Sequence, residues 1–382
     1  MRKFVLLCIA SMSLALPFTS IAADKTVAAS KSDTSLRLEL ENAIGRGLSF
    51  LAGKQNPAGF WGQPEYPALS ALGLTAFQGD PSGFYKKKYQ QNIKTGYEFL
   101  LRNVKPDGGI YAKDLANYNT SISMMALLMA NNPEYEAVLK KGRSFLVGLQ
   151  DKRGDASPLD GGIGYGGTHK NSDIINTSFA LEALYYTRYL KNDVADASDL
   201  NWKAAIRFIS RTQNLPGYND QKWVTGDPEN RGGFVYFPGD SKAGEAELAD
   251  GKVALRSYGS GSYAGLLSYI YAQMDKNDPR VKEVHAWLSR NYTLDENPGM
   301  GKEGLYYYYH TMAKALSIYG SDTLKVKNGK SVNWRKELST RLLDLQNADG
   351  SWVNSSGRWW ERDPVLVTSY AVMTLEILHR GL

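Results

Sequence analysis

Arg46-Gly47-Leu48-Ser49-Phe50-Leu51, with Gln55 behind it and Gly59-Phe60-Trp61 closing the stretch, is the segment whose reading decides the fold. A charged amphipathic run ends in an aromatic–aliphatic pair, a glutamine follows, and a turn of glycine and aromatic residues comes next. The order returns along the chain. Phe99-Leu100, Phe145-Leu146, Phe208-Ile209, Trp287-Leu288 and a weaker Leu342-Leu343 stand near the ends of five further segments. Gln150 and Gln213 keep the place of Gln55, and Gln346 follows Leu342. The matching turns are Gly109-Ile110-Tyr111, Gly162-Ile163-Gly164-Tyr165, Gly233-Phe234-Val235-Tyr236, Gly304-Leu305-Tyr306 and Gly350-Ser351-Trp352. A repeat of this kind constrains the architecture before any single element does.

A second segment of different character follows each turn. Aligned on a terminal leucine, these run 66–74, 119–127, 176–184, 258–266, 308–316 and 367–375. They are rich in Ala, Ser, Thr, Met and Gly and poor in charge, whereas the first set carries faces such as Glu39-Leu40-Glu41-Asn42 and Arg335-Lys336-Glu337. Charged amphipathic helices belong outside, and helices apolar nearly all round belong inside. Six alternations predict two concentric rings over residues 36–382. No alternating run of useful length predicts a sheet, so strand content should be negligible. Gln and the turn aromatic are expected to tie an outer helix end, with its unpaired carbonyls, to the loop leading inward.

The quoted stretch resembles the QW repeat of squalene and hopene cyclases. Gln346-Asn347-Ala348-Asp349-Gly350-Ser351-Trp352 is a second close match, and Lys141-Gly142 to Gln150 a third with an expanded turn. Protein prenyltransferase β-subunits carry the same repeat in looser form. The resemblance implies an all-α (α/α)6 toroid of six helical hairpins around a funnel-like central cavity.

The N-terminus points to export. Arg2 and Lys3 precede the apolar run Phe4 to Leu16, and Ser20-Ile21-Ala22 offers a cleavage site, so 1–22 reads as a secretory signal peptide with a periplasmic or extracellular destination. Residues 23–35 read as a disordered spacer. Cys8, the one cysteine, lies inside the signal, which leaves no disulfide, thiolate metal site or cysteine nucleophile. Net charge falls from +6 to +4 without Arg2 and Lys3, and no basic block exceeds Lys86-Lys87-Lys88, which argues against nucleic acid. The signal is too short to be an integral membrane span. With 24 Tyr and 8 Trp, the chain carries more amphipathic aromatics than a helical core needs, as a lined cavity would.

The resemblance also shows which chemistry is missing. Cyclases that protonate an alkene carry Asp-x-Asp-Asp at the start of an inner helix; here the stretch is Asp173-Ile174-Ile175-Asn176, with Ile175 at the proton donor's position. Isoleucine has no proton to give. No adjacent Asp pair exists for diphosphate binding, and the zinc site of prenyltransferases lacks its Cys. No cofactor and no metal site is implied, although Asp, Glu and His near one rim leave a hard cation open.

What remains is a polar and aromatic rim at the mouths of the inner helices. The repeat places Tyr66, Asn119, Asn176, Tyr258 and Tyr308 at equivalent positions, with Glu65, Asn117, Asp173, Arg256 and Asp363 close before them. Helix N-termini gathered on one side would favour anionic or strongly polar ligand groups, although Asn and Asp there also serve as caps. Asp173, Asp363 and His310 are the acid/base candidates should a reaction occur. Tyr66, Tyr258 and Tyr308 would line the cavity, and Trp360 would stack on a ligand. The leading reading is an exported repeat protein that binds an isoprenoid-like or amphipathic small molecule in its central cavity, with the question of a reaction left open. A carbohydrate-active or glycan-binding toroid using Glu65, Asp173, Glu361 and Asp363 is a second reading. A non-catalytic protein-interaction scaffold is a third.

Overall fold

The computed structural model describes residues 31–169, 171–190, 199–249 and 251–382. The expected signal segment 1–22 lies outside them. Thirteen α-helices follow in order: α1 Lys31–Lys54, α2 Pro67–Gly79, α3 Phe84–Lys88, α4 Gln90–Arg102, α5 Ala116–Met129, α6 Glu136–Gly148, α7 Ile174–Tyr186, α8 Trp202–Arg211, α9 Gly259–Tyr271, α10 Pro279–Arg290, α11 Leu305–Tyr319, α12 Trp334–Asp344 and α13 Pro364–Gly381. The first begins inside 23–35, so the C-terminal part of the expected spacer is helical instead. Two antiparallel strand pairs decorate loops: β1 Glu245–Glu247 with β2 Val253–Leu255, and β3 Leu324–Lys325 with β4 Ser331–Val332. No helix among the described residues is long and apolar enough to cross a membrane.

Packing separates the helices into the two expected rings. α2, α5, α7, α9, α11 and α13 each pack on the next, and α13 returns to α2. Around them α1 rests on α13, α4 on α2, α6 on α5, α8 and α10 on α9, and α12 on α13. The inner helices are buried on nearly every face; in α9 every residue is buried. Composition explains this, since Gly and Ser at Gly259, Ser260, Gly261, Ser262, Gly265 and Ser268 let neighbours approach closely.

The repeat residues lock one hairpin to the next, which goes beyond the tie to their own turn. Gln55 Nε2 donates to Gly59 O and to Asn92 O on the next outer helix, both at 2.9 Å. Gln150 joins Gly161 O to Asn201 O, and Gln213 joins Gly232 O to Arg280 O. Gln346 donates to Gly350 O at 3.0 Å and to Ala43 O of α1 at 2.9 Å, closing the circle from last repeat to first. Trp61 and Trp352 are fully buried, and their indoles donate to Leu51 O and Leu342 O at the ends of α1 and α12. Gly59, at φ 93°, lies so close to the next outer helix that a Cβ would meet Thr95 O at 2.3 Å. From within, an inner-helix hydroxyl accepts the turn's backbone N–H: Ser70 from Trp61, Thr120 from Ile110, Thr177 from Ile163, Ser262 from Phe234 and Thr368 from Trp352. Glutamine, glycine, aromatic and hydroxyl thus form one joint.

Candidate functional site

Side-chain links run between neighbouring inner-helix N-termini, which places these ends on one rim. There the polar residues are spent as caps. Asn119 is fully buried; its Oδ1 accepts from Ala68 N at the start of α2, and its Nδ2 donates to Asp114 O and Leu115 O. Asn297 Oδ1 accepts from Ser260 N of α9 at 2.9 Å. Glu361 holds α11, with Oε1 accepting from Tyr307 N at 2.9 Å and Oε2 from Tyr306 N at 3.2 Å and Asn354 Nδ2 at 2.6 Å. Gly304, at the N-cap of α11, has no side chain for this work. Asp363 caps its own helix through Val365 N at 2.9 Å.

Several expected site residues therefore take other places. Asn119 and Asp363 serve helix ends, because a backbone N–H next to a carboxylate or amide oxygen is satisfied locally before any ligand arrives. Tyr308 does not line the interior: its ring packs on Tyr263 at 5.6 Å and its hydroxyl donates to Thr293 O at 2.9 Å. Alignment on the terminal leucine missed the inward face by one residue, and Tyr307 takes that place. The five aligned positions are not equivalent either, since Tyr66 and Tyr258 are N-caps while Asn119, Asn176 and Tyr308 lie inside their helices. Glu65 is exposed. Arg256 is exposed as well, and its Nε donates to Glu245 O of β1. The carboxylates named for sugar chemistry do not gather into a free pair, with Glu361 and Asp363 held as caps.

Two groups of expected residues do come together. Tyr66 and Trp360 rings lie 4.6 Å apart at the rim, where Trp359 and Trp360 hold φ of 54° and 63° and remain about a third exposed (39% and 36%). Bulky residues in this left-handed region are strained, and the turn they form brings Trp360 to Tyr66 while Glu361 turns inward. Asp173, 1% exposed, receives Asn176 N and Asn176 Nδ2, both at 2.8 Å, and a hydrogen bond from Tyr236. Burial raises its pKa to about 6 despite those donors. Tyr165 bonds to Asn176 and Tyr236, and Tyr258 lies within electrostatic reach of the carboxylate. Asn176 Oδ1 is buried without a partner.

The interior itself is marked by residues left partly accessible on helices otherwise buried: Tyr118 and Met125 of α5, Ile175 and Phe179 of α7, Tyr307 and Lys314 of α11. Their spacing of four or seven puts each set on one face. Tyr118 meets Phe179 at 5.6 Å, Phe179 meets Tyr307 at 5.9 Å, Tyr307 meets Tyr370 of α13 at 5.9 Å, and Tyr370 hydrogen-bonds back to Tyr118. Two of these contacts join helices that are not neighbours in the ring, so aromatic rings meet across the axis. The space is narrower than the expected funnel. His310, buried and 5.6 Å from the Tyr370 ring, is kept neutral by burial and by Lys314, and its Nδ1 has no partner. Sequence reasoning missed Tyr118, Phe179, Tyr307 and Tyr370. A count of partly polar residues at helical spacing along the inner segments was the available signal.

Among the described residues no three His, Asp or Glu side chains converge on a point that could hold a metal ion. No protein-family model and no curated protein matches the chain. Solved structures are similar to it. Type II terpene cyclase MstE from Scytonema, in its apo form, aligns with a TM-score of 0.55 at 13% identity, covering 91% of this chain and 99% of that one. A variant of MstE in complex with its substrate geranylgeranyl dihydroxybenzoate gives 0.53 at 13% identity over 91% and 100% of the two chains. A second variant, in complex with the product merosterolic acid A, gives 0.54 at 13% identity over 91% and 99%. With its closed inner ring and this match across 91% of its length, the chain has the helical fold of type II terpene cyclases.

Proposed function

We propose that the protein binds a slender isoprenoid-like or amphipathic ligand along the axis of its inner ring, and that it is exported. The aromatic circuit of Tyr118, Phe179, Tyr307 and Tyr370 carries the reading. Tyr118, Phe179 and Tyr307 remain partly accessible on helices whose other sides are buried, with Tyr370 buried behind them, and aromatic surfaces suit an apolar, unsaturated chain. The fold likeness supports it, because MstE structures hold a prenylated substrate and its product. Rings 5.6–5.9 Å apart touch across the axis, so a ligand must part them, and a slender extended chain does so at less cost than a folded triterpene or a sugar ring. With Ile175 where the cyclases keep their proton donor, squalene-type cyclisation is not part of the proposal.

Titration of the purified chain with farnesol, followed by intrinsic fluorescence and calorimetry, tests the binding. Saturable one-to-one binding that weakens about tenfold in Phe179→Ala is expected, since deleting a buried aromatic contact removes energy of that order. Absence of saturation, or tighter binding of an oligosaccharide, overturns the reading. Export is tested separately by N-terminal sequencing of the secreted product, expected to begin at Ala23.

A further inference from the structure

Two inner helices meet across the axis at a charged point. Lys314 Nζ donates to both carboxylate oxygens of Glu182, at 2.9 and 3.1 Å. In the ring α9 stands between α7 and α11, so the bridge passes in front of α9 and through the interior. The helical stripes agree: Glu182 follows Phe179 by three residues and Lys314 follows Tyr307 by seven, each on the inward face. At 1.5 Å rise per residue, Lys314 lies about 10 Å deeper than Tyr307.

Tyr271 and Tyr186 face Glu182 and His310 lies near Lys314, but the matching positions of the other inner helices carry no charge. Five residues beyond the hydroxyls Ser70, Thr120, Thr177, Ser262 and Thr368 stand Thr75, Met125, Glu182, Leu267 and Met373. Ring closure does not call for a charge pair here, and apolar residues of similar volume commonly serve stability as well or better. Both partners also stay within reach, with side chains 23% and 11% exposed. An ammonium has three donors, and two of those on Lys314 face Glu182, which leaves one for an incoming oxygen.

We infer that Glu182 and Lys314 form the polar end of the ligand site and select a neutral hydrogen-bonding terminus on an isoprenoid chain. The inference rests on the proposed binding function and narrows its ligand class to prenyl alcohols and carbonyl compounds. Lys314 donates a hydrogen bond to the terminal oxygen, and Glu182 accepts one from the hydroxyl. The Glu182 carboxylate repels a diphosphate at this depth, and a plain hydrocarbon leaves the pair's spare capacity unused.

Farnesol and farnesene share a skeleton and differ in the terminus, so their affinities for the full chain form the test. The wild type is expected to bind farnesol about tenfold more tightly, the worth of one charge-assisted hydrogen bond. In the Glu182→Leu/Lys314→Met double variant the ratio should fall to about one, with farnesene binding unchanged or improved. Should that variant fail to fold, Glu182→Gln, which keeps shape and removes charge, is expected to lower the ratio about threefold. A ratio near one in the wild type, or a ratio that survives these changes, overturns the inference while leaving the binding function standing. Failure of both ligands to bind the wild type overturns both.

Discussion

The rim and the interior of the inner ring use similar residues for opposite purposes. At the rim, Asn119, Asn297, Glu361 and Asp363 have their oxygens on backbone N–H groups of helix starts. In the interior, Tyr118, Phe179, Tyr307, Glu182 and Lys314 touch one another across space rather than the backbone beside them. Polar character alone therefore says little about function in a closed helical ring. Helix ends must be satisfied wherever they are buried, and six buried ends on one rim consume most of its polar side chains. Partners that bridge helices apart in the ring are the ones left over for a ligand.

The largest expected effect breaks the comparison at its most committed cap. Glu361→Ala would strand Tyr306 N, Tyr307 N and the Asn354 amide, and should cost roughly 3 kcal/mol or more in urea unfolding. A loss under about 1 kcal/mol would show that the rim does not depend on its caps.

Asp173 comes next, because it belongs to both regions. Its folded pKa of about 6 exceeds the ordinary 3.8. A carboxyl raised in this way contributes stability that is fully present below the unfolded value and lost as pH rises through 6. Wild-type stability should thus fall between about pH 4 and 6.5 relative to Asp173→Asn, by on the order of 2 kcal/mol. Asn keeps an oxygen for Asn176 N, and rotation of the Asn176 amide offers its unpartnered Oδ1 to the new NH2. Parallel stability–pH profiles for the two proteins would remove the buried charge as the cause.

The joint between repeats supplies a smaller effect. Gln346→Ala severs both the turn and the link to α1, and should cost about 2 kcal/mol. Gln55→Ala should cost a similar amount, since it breaks the same two bonds one repeat later. A marked difference between them, measured by thermal unfolding, would mean that closing the ring differs energetically from propagating it.

In the interior the stability effect should nearly vanish while binding changes. Phe179→Leu keeps an apolar side chain on a partly accessible site and should shift stability by no more than about 1.5 kcal/mol. Farnesol affinity measured on the same preparation should drop. Smallest of all is the result with squalene, where no cyclised product is expected above a heat-killed control, because Ile175 has no proton to donate.

How much was legible follows from which interactions are local in the chain. The glutamine, glycine, aromatic and small-residue periods lie within one hairpin, so the alternation of outer and inner helices could be read along the sequence, together with the burial of Trp61 and Trp352. Asp173 and Asp363 could be read as helix starts for the same reason. Tyr308 was misplaced because a one-residue error in helical phase turns a side chain by about 100°. Nothing in the sequence announces that Glu361 caps a helix it does not belong to.

Sequence by itself determined the repeat, the two helix classes and the lack of an acid at position 175, since these depend on residue type and short-range period. Only the tertiary structure decided that Gln346 reaches Ala43, that Tyr118 meets Tyr370, and that Glu182 meets Lys314. Each of those pairs joins residues more than a hundred positions apart, brought together by closure of the ring. Closure is a property of the whole circle of hairpins, so no single hairpin's sequence encodes it.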